Sequence, residues 1–300
     1  MPIYQVIILA VVQGLAELLP VSSSAHVVVA EKLMGLDPSS PQMTMLLVML
    51  HTGTMFAVIA YFWKQWAQTY FASMDAFKRF LVRLIWATGV TLVLGYGLMK
   101  VVEHTLFKGA PKAQIEDLFG RLDLVAPALA CAGILILIAG FRKQKADGAA
   151  ASAASITRRP GENVTIGQAG WMGVLQGLAL PFRGFSRSGV TISIGMLTGA
   201  TRERAERFSF AMAVAITPLA IGREAWRVLH MVHYAATNGT SIDLHRTVMM
   251  SALGAVFAFL AGLVALKWLS SWLEHGRWYL FGVYCLWASA MVFWLHTRGY

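Results

Sequence analysis

The chain repeats a segment of itself, and each copy is an apolar stretch that stops too early to cross a membrane. Residues 11–26 read VVQGLAELLPVSSSAH, and residues 174–189 read VLQGLALPFRGFSRSG. In both copies a helix-like run containing Gln-Gly-Leu-Ala breaks at Pro or Gly into a turn rich in hydroxyl side chains. Paired broken segments in the two halves of a membrane protein indicate a binding site where the halves meet.

The composition places the whole chain in a membrane. Hydrophobic residues make up 57% and charged residues 13% of the 300 residues, whereas a soluble domain carries about 25% charged residues. The net charge of +10 does not indicate a nucleic-acid partner, because the basic residues lie in short loops between apolar stretches. We therefore expect membrane lipids around the chain and no nucleic acid bound to it.

Six apolar stretches come close to the length of a spanning helix, which is about 20 residues. They cover residues 42–62, 80–102, 122–141, 208–230, 246–268 and 278–296. Four shorter stretches pair as two hairpins, formed by residues 3–18 with 25–36 and by residues 167–181 with 190–200. The prediction is an all-α polytopic membrane bundle, an inverted-topology repeat with two re-entrant helix hairpins and about six spanning helices.

The repeat divides the chain into two halves joined by an Ala- and Ser-rich linker. We predict a first half-repeat at residues 1–145, a cytoplasmic linker at 146–163 and a second half-repeat at 164–300, each half being a hairpin plus about three spans. Most Lys and Arg residues lie in the loops at 63–79, 142–163, 201–207 and 267–277. This side is therefore cytoplasmic, so the first hairpin enters from the outside and the second from the cytoplasm.

The first turn carries an ionisable residue at membrane depth. Glu17 lies one helical turn after Gln13 on the same helix face, and a carboxylate inside a bilayer costs about 2.5–3.5 kcal/mol or more. It therefore needs a structural partner, a metal ion or a role as general base. The three serines at 22–24 follow, and His26 lies three residues after Ser23. Both a helix cap and an activated Ser nucleophile fit this pattern.

The second turn combines features that favour an oxyanion such as phosphate. Residues 184–191, GFSRSGVT, place one Arg among three hydroxyl groups at the start of a helix. Helix-start N–H groups, hydroxyl donors and a guanidinium together bind oxyanions. Alternatively, Arg187 forms a structural pair with Glu17 across the repeat interface. The two interpretations are compatible, because an arriving substrate can open the pair.

These motifs resemble the two signatures of the bacterial undecaprenyl-diphosphatases, the bacitracin-resistance family. The resemblance rests on Gln13-x-x-x-Glu17, on residues 20–26 and on residues 184–191, in the same order. It implies an integral membrane phosphatase that hydrolyses undecaprenyl diphosphate, or a similar polyprenyl diphosphate, to the monophosphate and inorganic phosphate, which recycles the cell-wall lipid carrier. It also implies the bacterial inner membrane, a site facing the periplasm, and a divalent cation, Mg²⁺ or Ca²⁺.

The resemblance further implies roles for individual residues. Glu17 serves the metal or acts as base, Ser23 is the nucleophile or a phosphate ligand, and His26 is the acid or base. Arg187 clamps the diphosphate. The remaining substrate-binding candidates are Gln13, Ser22, Ser186, Ser188, Thr191 and Arg183. Two of these depart from the family pattern, because Gln13 stands where many members carry Glu and Arg183 where the family has Pro.

A flippase or transporter for a polyprenyl phosphate is the alternative function, because inverted repeats with broken helices are also a transporter architecture. An oxyanion site around Arg187 serves either function. A Ser followed by a His favours the enzyme, since a carrier needs neither a nucleophile nor a proton shuttle. The oligomeric state stays open, with a homodimer as one option. We expect His51 to be an interfacial residue outside the site.

Overall fold

The computed structural model describes residues 1–37, 40–106, 121–150, 164–237, 244–273 and 277–299. Its described part contains ten helices and no strand, which confirms the all-α prediction. In chain order the helices are α1 (Ile3–Leu18), α2 (Ser23–Leu33), α3 (Pro41–Thr69), α4 (Met74–Leu106), α5 (Leu122–Ala150), α6 (Ile166–Ala179), α7 (Arg187–Leu197), α8 (Arg202–Thr237), α9 (Leu244–Leu273) and α10 (Tyr279–Thr297).

The order of helix lengths repeats in the two halves. The short helices α1 and α2, of 16 and 11 residues, precede three longer ones, and so do α6 and α7, of 14 and 11 residues. Within the described residues, α3, α4, α5, α9 and α10 are long and apolar enough to cross a membrane. The sixth predicted span, 208–230, lies in α8, part of whose side chains fall outside the described residues. The predicted polytopic helical bundle is confirmed.

The boundaries of the two half-repeats stay a prediction. Helix α5 continues to Ala150, beyond the expected start of the linker at residue 146. Residues 151–163, which make up the rest of the predicted linker, lie outside the described residues.

Each hairpin turns where the chain can no longer continue a helix. Helix α1 ends two residues before Pro20, and Ser22 then takes a left-handed conformation with φ 68°. No other non-glycine residue in the described ranges has a positive φ. In the second hairpin Gly184 has φ 102°, and a Cβ there would lie 2.4 Å from the Val125 carbonyl oxygen. Both turns therefore hold backbone conformations that most side chains disfavour.

The short first helix of each half packs on a long helix of the other half. Helix α1 packs on α9, and its counterpart α6 packs on α4. The equivalent helices α3 and α8 also pack on each other, as do α5 and α10, and α3 packs extensively on α9. The contacts of α1 with α9 and of α6 with α4 correspond to each other, as expected for two repeated halves, whereas α3 packs on α9 far more extensively than α4 packs on α8. The same pattern brings the turns of the two hairpins together.

Small residues allow the short helices to approach the spans closely. A Cβ on Gly14 of α1 would lie 2.6 Å from the Cβ of Ala261 in α9. A Cβ on Gly173 of α6 would lie 2.4 Å from the carbonyl oxygen of Ala87 in α4. Close backbone approach through Gly and Ala is the usual means of helix association in a bilayer, where no hydrophobic force drives helices together.

Candidate active site

The turns of the two hairpins are hydrogen-bonded to each other. The backbone N–H of Ser22 donates to the Oγ of Ser186 at 3.2 Å, and the N–H of Gly184 donates to the Oγ of Ser24 at 3.3 Å. These bonds hold the N-termini of α2 and α7 side by side. Because a helix N-terminus presents unpaired N–H groups and a partial positive charge, the junction favours a bound anion.

Glu17 lies at this junction and collects three donors. Its Oε1 is 2.5 Å from the Nη2 of Arg187, which forms an ion pair across the two halves. Its Oε2 accepts hydrogen bonds from the Nε2 of Gln13 at 3.1 Å and from the hydroxyl of Ser23. The side chains of Glu17 and Arg187 are only 13% and 23% exposed. The structural pair that the sequence suggested between Glu17 and Arg187 is therefore present. The hydroxyl of Ser23 lies beside this pair, because it donates to the same carboxylate.

Part of the Arg187 guanidinium is unused in this arrangement. Its Nη1 is buried and has no hydrogen-bond partner among the described residues. A buried donor without an acceptor costs about 1–3 kcal/mol or more for a charged group. A phosphate oxygen would remove that cost, and a guanidinium binds phosphate with two parallel hydrogen bonds.

Glu17 and Arg187 line a small cleft between α1, α3, α7 and α8. Its other polar side chains include His51, Thr54 and Thr217, and apolar residues such as Met55 and Val58 complete it. A cleft with a few convergent polar groups on apolar walls is the usual form of a small binding site.

His51 also lines this cleft, which the sequence did not predict. It lies within α3, its Nε2 is 3.8 Å from the Oε2 of Glu17, and its Nδ1 is 2.8 Å from the carbonyl oxygen of Leu47. The sequence does contain a signal for it, because an ionisable residue inside an apolar span usually faces the bundle interior.

His26 faces helix α10. Its Nδ1 is 2.7 Å from the carbonyl oxygen of Ser22, and its Nε2 is 2.6 Å from the hydroxyl of Tyr284, on which the ring also stacks. Because a carbonyl oxygen only accepts, Nδ1 carries the hydrogen, and the neutral ring accepts at Nε2 from Tyr284. Both ring nitrogens are thus engaged, while the hydroxyl of Ser23 points to Glu17.

Three predicted substrate-binding hydroxyls hold the turns in place. The Oγ of Ser186 also caps α7, where it accepts from the N–H of Gly189 at 3.3 Å. Ser188 donates to the carbonyl oxygen of Leu19 in the first turn at 3.2 Å. Thr191 is fully buried, and its Oγ1 lies 2.6 Å from the Oγ of Ser209 in α8. These residues position Arg187, and their substrate contacts stay predictions.

Arg183 and Ser22 lie at the rim of the junction. Arg183 is half-buried and interacts electrostatically with Glu31 of α2, whose side chain is fully buried. The Oγ of Ser22 is 3.3 Å from the Oγ of Ser24. Their contacts with substrate also stay predictions.

The groups around Glu17 do not fit a preformed site for a divalent cation. The described residues contain no group of three or more His, Cys, Asp or Glu side chains placed to hold a metal. One Glu17 oxygen pairs with Arg187, and the other accepts from Gln13 and Ser23. A hard cation needs several free oxygen ligands, whereas donors surround this carboxylate. The predicted Mg²⁺ or Ca²⁺ stays untested, and we assign no catalytic step to it.

Within the described residues, the structure is a bundle of membrane-length helices with two short hairpins, and a carboxylate, an arginine and a serine lie where the turns of these hairpins meet. These features define a class of polytopic membrane proteins. The family model described as bacitracin resistance protein BacA matches residues 6–291. The chain belongs to that family, which confirms the resemblance seen in its motifs.

Several curated proteins are similar over nearly their whole length. A protein named undecaprenyl-diphosphatase 2 from Acinetobacter baylyi is 52% identical over 292 residues, which cover 97% of each chain. Undecaprenyl-diphosphatase 2 from Burkholderia thailandensis is 33% identical over 292 residues, with 95% of this chain and 94% of the relative covered. Undecaprenyl-diphosphatase from Acidiphilium cryptum is 32% identical over 298 residues, with 93% of each chain covered.

Proposed function

We propose that this chain is an integral membrane phosphatase that hydrolyses undecaprenyl diphosphate, or a similar polyprenyl diphosphate, to the monophosphate and inorganic phosphate. One observation carries the proposal: the Ser23 hydroxyl donates to Glu17, and Glu17 pairs with Arg187, where two helices begin. These are the parts of a nucleophile, a base and an anion clamp. The names of the similar proteins support the substrate class.

Binding begins at Arg187. Its unused Nη1 donates a hydrogen bond to an oxygen of the terminal phosphate, and the helix-start N–H groups of α2 and α7 add further attraction. As the phosphate engages the guanidinium, Arg187 loosens its pair with Glu17. The substrate thereby frees the base next to the nucleophile, so the carboxylate is exposed for reaction only when a phosphate is present.

The chemistry then follows from the Ser23–Glu17 hydrogen bond. The Ser23 oxygen bonds to the terminal phosphorus, and its proton passes to Glu17. The bond from that phosphorus to the bridging oxygen breaks, and polyprenyl monophosphate leaves with the electron pair. Water hydrolyses the phosphoserine, and Ser23 recovers its proton from Glu17. Arg187 stabilises the phosphoryl charge in both steps.

The cellular setting is part of the proposal. The distribution of Lys and Arg predicts that the first hairpin enters from the outside, which supports a site that faces the periplasm from the bacterial inner membrane. The polyprenyl monophosphate formed on that face is then used again as the cell-wall lipid carrier. A homodimer remains a prediction that cross-linking of the purified protein tests.

The test is phosphate release from a long-chain polyprenyl diphosphate by the purified full-length protein, with and without EDTA. We expect release by the wild type and near-complete loss in Ser23→Ala, while lipid-diphosphate binding stays close to wild type. The reason is that Ser23 acts in the transition state, whereas Arg187 supplies the ground-state attraction. The EDTA arm decides whether a divalent cation takes part.

The rival function has a distinct outcome. Protein in liposomes that moves a polyprenyl phosphate across the bilayer and releases no phosphate is a carrier. Normal hydrolysis by Ser23→Ala would support the phosphatase function but would show that water, rather than Ser23, attacks the phosphorus.

A further inference from the structure

We propose that His51 is the residue that transfers the proton to and from the phosphate groups during catalysis. The proposal rests on the phosphatase activity argued above and adds a group that the signature motifs do not contain. It answers a question that the Ser23–Glu17 pair leaves open: which group protonates the departing oxygen and activates the hydrolytic water.

The ring of His51 is oriented for this task. Its Nδ1 is 2.8 Å from the carbonyl oxygen of Leu47, one turn earlier in α3. A carbonyl oxygen only accepts, so Nδ1 carries a hydrogen and the ring plane is held in place. This leaves Nε2 as the nitrogen that gains or loses a proton, and Nε2 faces the cleft.

His51 and Ser23 flank the same oxygen. The Nε2 of His51 is 3.8 Å from the Oε2 of Glu17, and the hydroxyl of Ser23 donates to that same Oε2. Ser23 and His51 are therefore both neighbours of one carboxylate oxygen, and the proposal requires the imidazole to reach a phosphoryl group carried by Ser23. The side chain of His51 is 42% exposed, so its ring is not enclosed by other protein groups.

His26 is less suited to the same role. Its Nδ1 is held by the carbonyl oxygen of Ser22 and its Nε2 by the hydroxyl of Tyr284, on the α10 side of the first hairpin. Moving a proton to phosphate would require the Tyr284 contact to break first. His51 needs no such rearrangement.

The charged neighbours of His51 also suit proton transfer. Glu17 of α1 and Arg187 of α7 are the charged side chains that line the cleft with it. Helix α8 contributes Thr217 there, and α9 packs its Ala255 backbone against α3 at neighbouring Gly53. The carboxylate of Glu17 therefore faces the imidazole directly, while the guanidinium of Arg187 binds the phosphate.

The complete reaction balances with His51 included. In the first step the protonated Nε2 gives its proton to the bridging oxygen as the phosphorus–oxygen bond breaks and polyprenyl monophosphate leaves. In the second step a water oxygen bonds to the phosphorus of phosphoserine, and its proton passes to Nε2. The bond to the Ser23 oxygen breaks, Glu17 returns the serine proton, and inorganic phosphate leaves. His51 and Glu17 thus return to the protonation states in which they began the reaction.

The experiment compares His51→Ala and His51→Gln with the wild type in the purified full-length protein. We expect kcat for both variants to fall by about a hundredfold or more with KM changed little, because general acid–base catalysis contributes roughly 10²–10⁴-fold. Added imidazole should restore part of the kcat of His51→Ala. His104→Ala, an exposed histidine near the end of α4, is the control and should turn over like the wild type.

The glutamine variant separates this role from a structural one. Its amide can still donate to the Leu47 carbonyl and reach toward Glu17, but it cannot transfer a proton at neutral pH. Wild-type turnover by His51→Gln would overturn the proposal, and so would a His51→Ala defect that imidazole leaves unchanged. Failure of the phosphatase function itself looks different, because the wild type would then release no phosphate.

Discussion

Glu17 and Arg187 each bury a charge, and the two charges face each other in the resting protein. The two side chains are 13% and 23% exposed and are joined at 2.5 Å. Removal of one partner from a buried pair leaves an uncompensated charge, whereas replacement of both removes the problem along with the bond. The contribution of the pair to stability can therefore be measured separately from its contribution to catalysis.

We predict that Glu17→Gln and Arg187→Gln each lower stability by about 3–5 kcal/mol. The double variant Glu17→Gln/Arg187→Gln should recover much of that loss while remaining inactive. Thermal unfolding of the four proteins in one detergent measures this. Additive losses in the double variant would mean that the two side chains do not pair in the membrane.

Contacts between helices position the site. Among the described glycines, Gly53 allows the closest approach of another helix. A Cβ on Gly53 of α3 would lie 2.1 Å from the carbonyl oxygen of Ala255 in α9. We predict that Gly53→Ala separates these helices and destabilises the protein by about 1–3 kcal/mol, as overpacking typically does. Gly89→Ala in α4 is the matched control, because a Cβ there meets nothing within 4 Å. Comparison of the melting temperatures of the two variants tests this prediction. Equal melting temperatures would refute the close packing of α3 on α9 at Gly53.

The hairpins are predictable from the sequence because local chemistry marks their ends. The expected stretch at 3–18 coincides with α1, and that at 167–181 nearly coincides with Ile166–Ala179 of α6. The second helices begin earlier than expected, at Ser23 and Arg187. Each start follows a serine in the turn, and at α7 that serine's hydroxyl accepts the capping hydrogen bond.

The composition of the site is only partly predictable. Glu17, Ser23 and Arg187 are recognisable because they lie in the repeated turns, and the structure brings these three together. His51 and Tyr284 belong to helices without a motif, and their distance from the turns depends on how α3 and α10 pack. The position of His51 in an apolar span indicates that it faces the bundle interior, but the pattern within one segment does not say which distant segment a side chain contacts.

At the scale of the whole molecule, contacts between the halves hold the protein together. Helices α1 with α9, α4 with α6, and α5 with α10 all join one half to the other. We predict that a protease site inserted between residues 151 and 163 can be cut in the purified protein without loss of activity. The two fragments should co-purify, and turnover before and after cleavage gives the comparison. Fragments that separate on a sizing column would contradict the predicted half-repeats.

The ion pair at the site also has a consequence for biosynthesis, because its members are 170 positions apart in the chain. A ribosome adds about 5–20 residues per second, so the carboxylate emerges roughly ten to thirty seconds before its guanidinium. During that interval the first hairpin lacks the guanidinium that pairs with Glu17, and a lone charge in hydrocarbon costs about 2.5–3.5 kcal/mol or more. We therefore expect the first hairpin to settle in the membrane only after the second half has been made, and a stall in translation between the two to leave Glu17 without its partner.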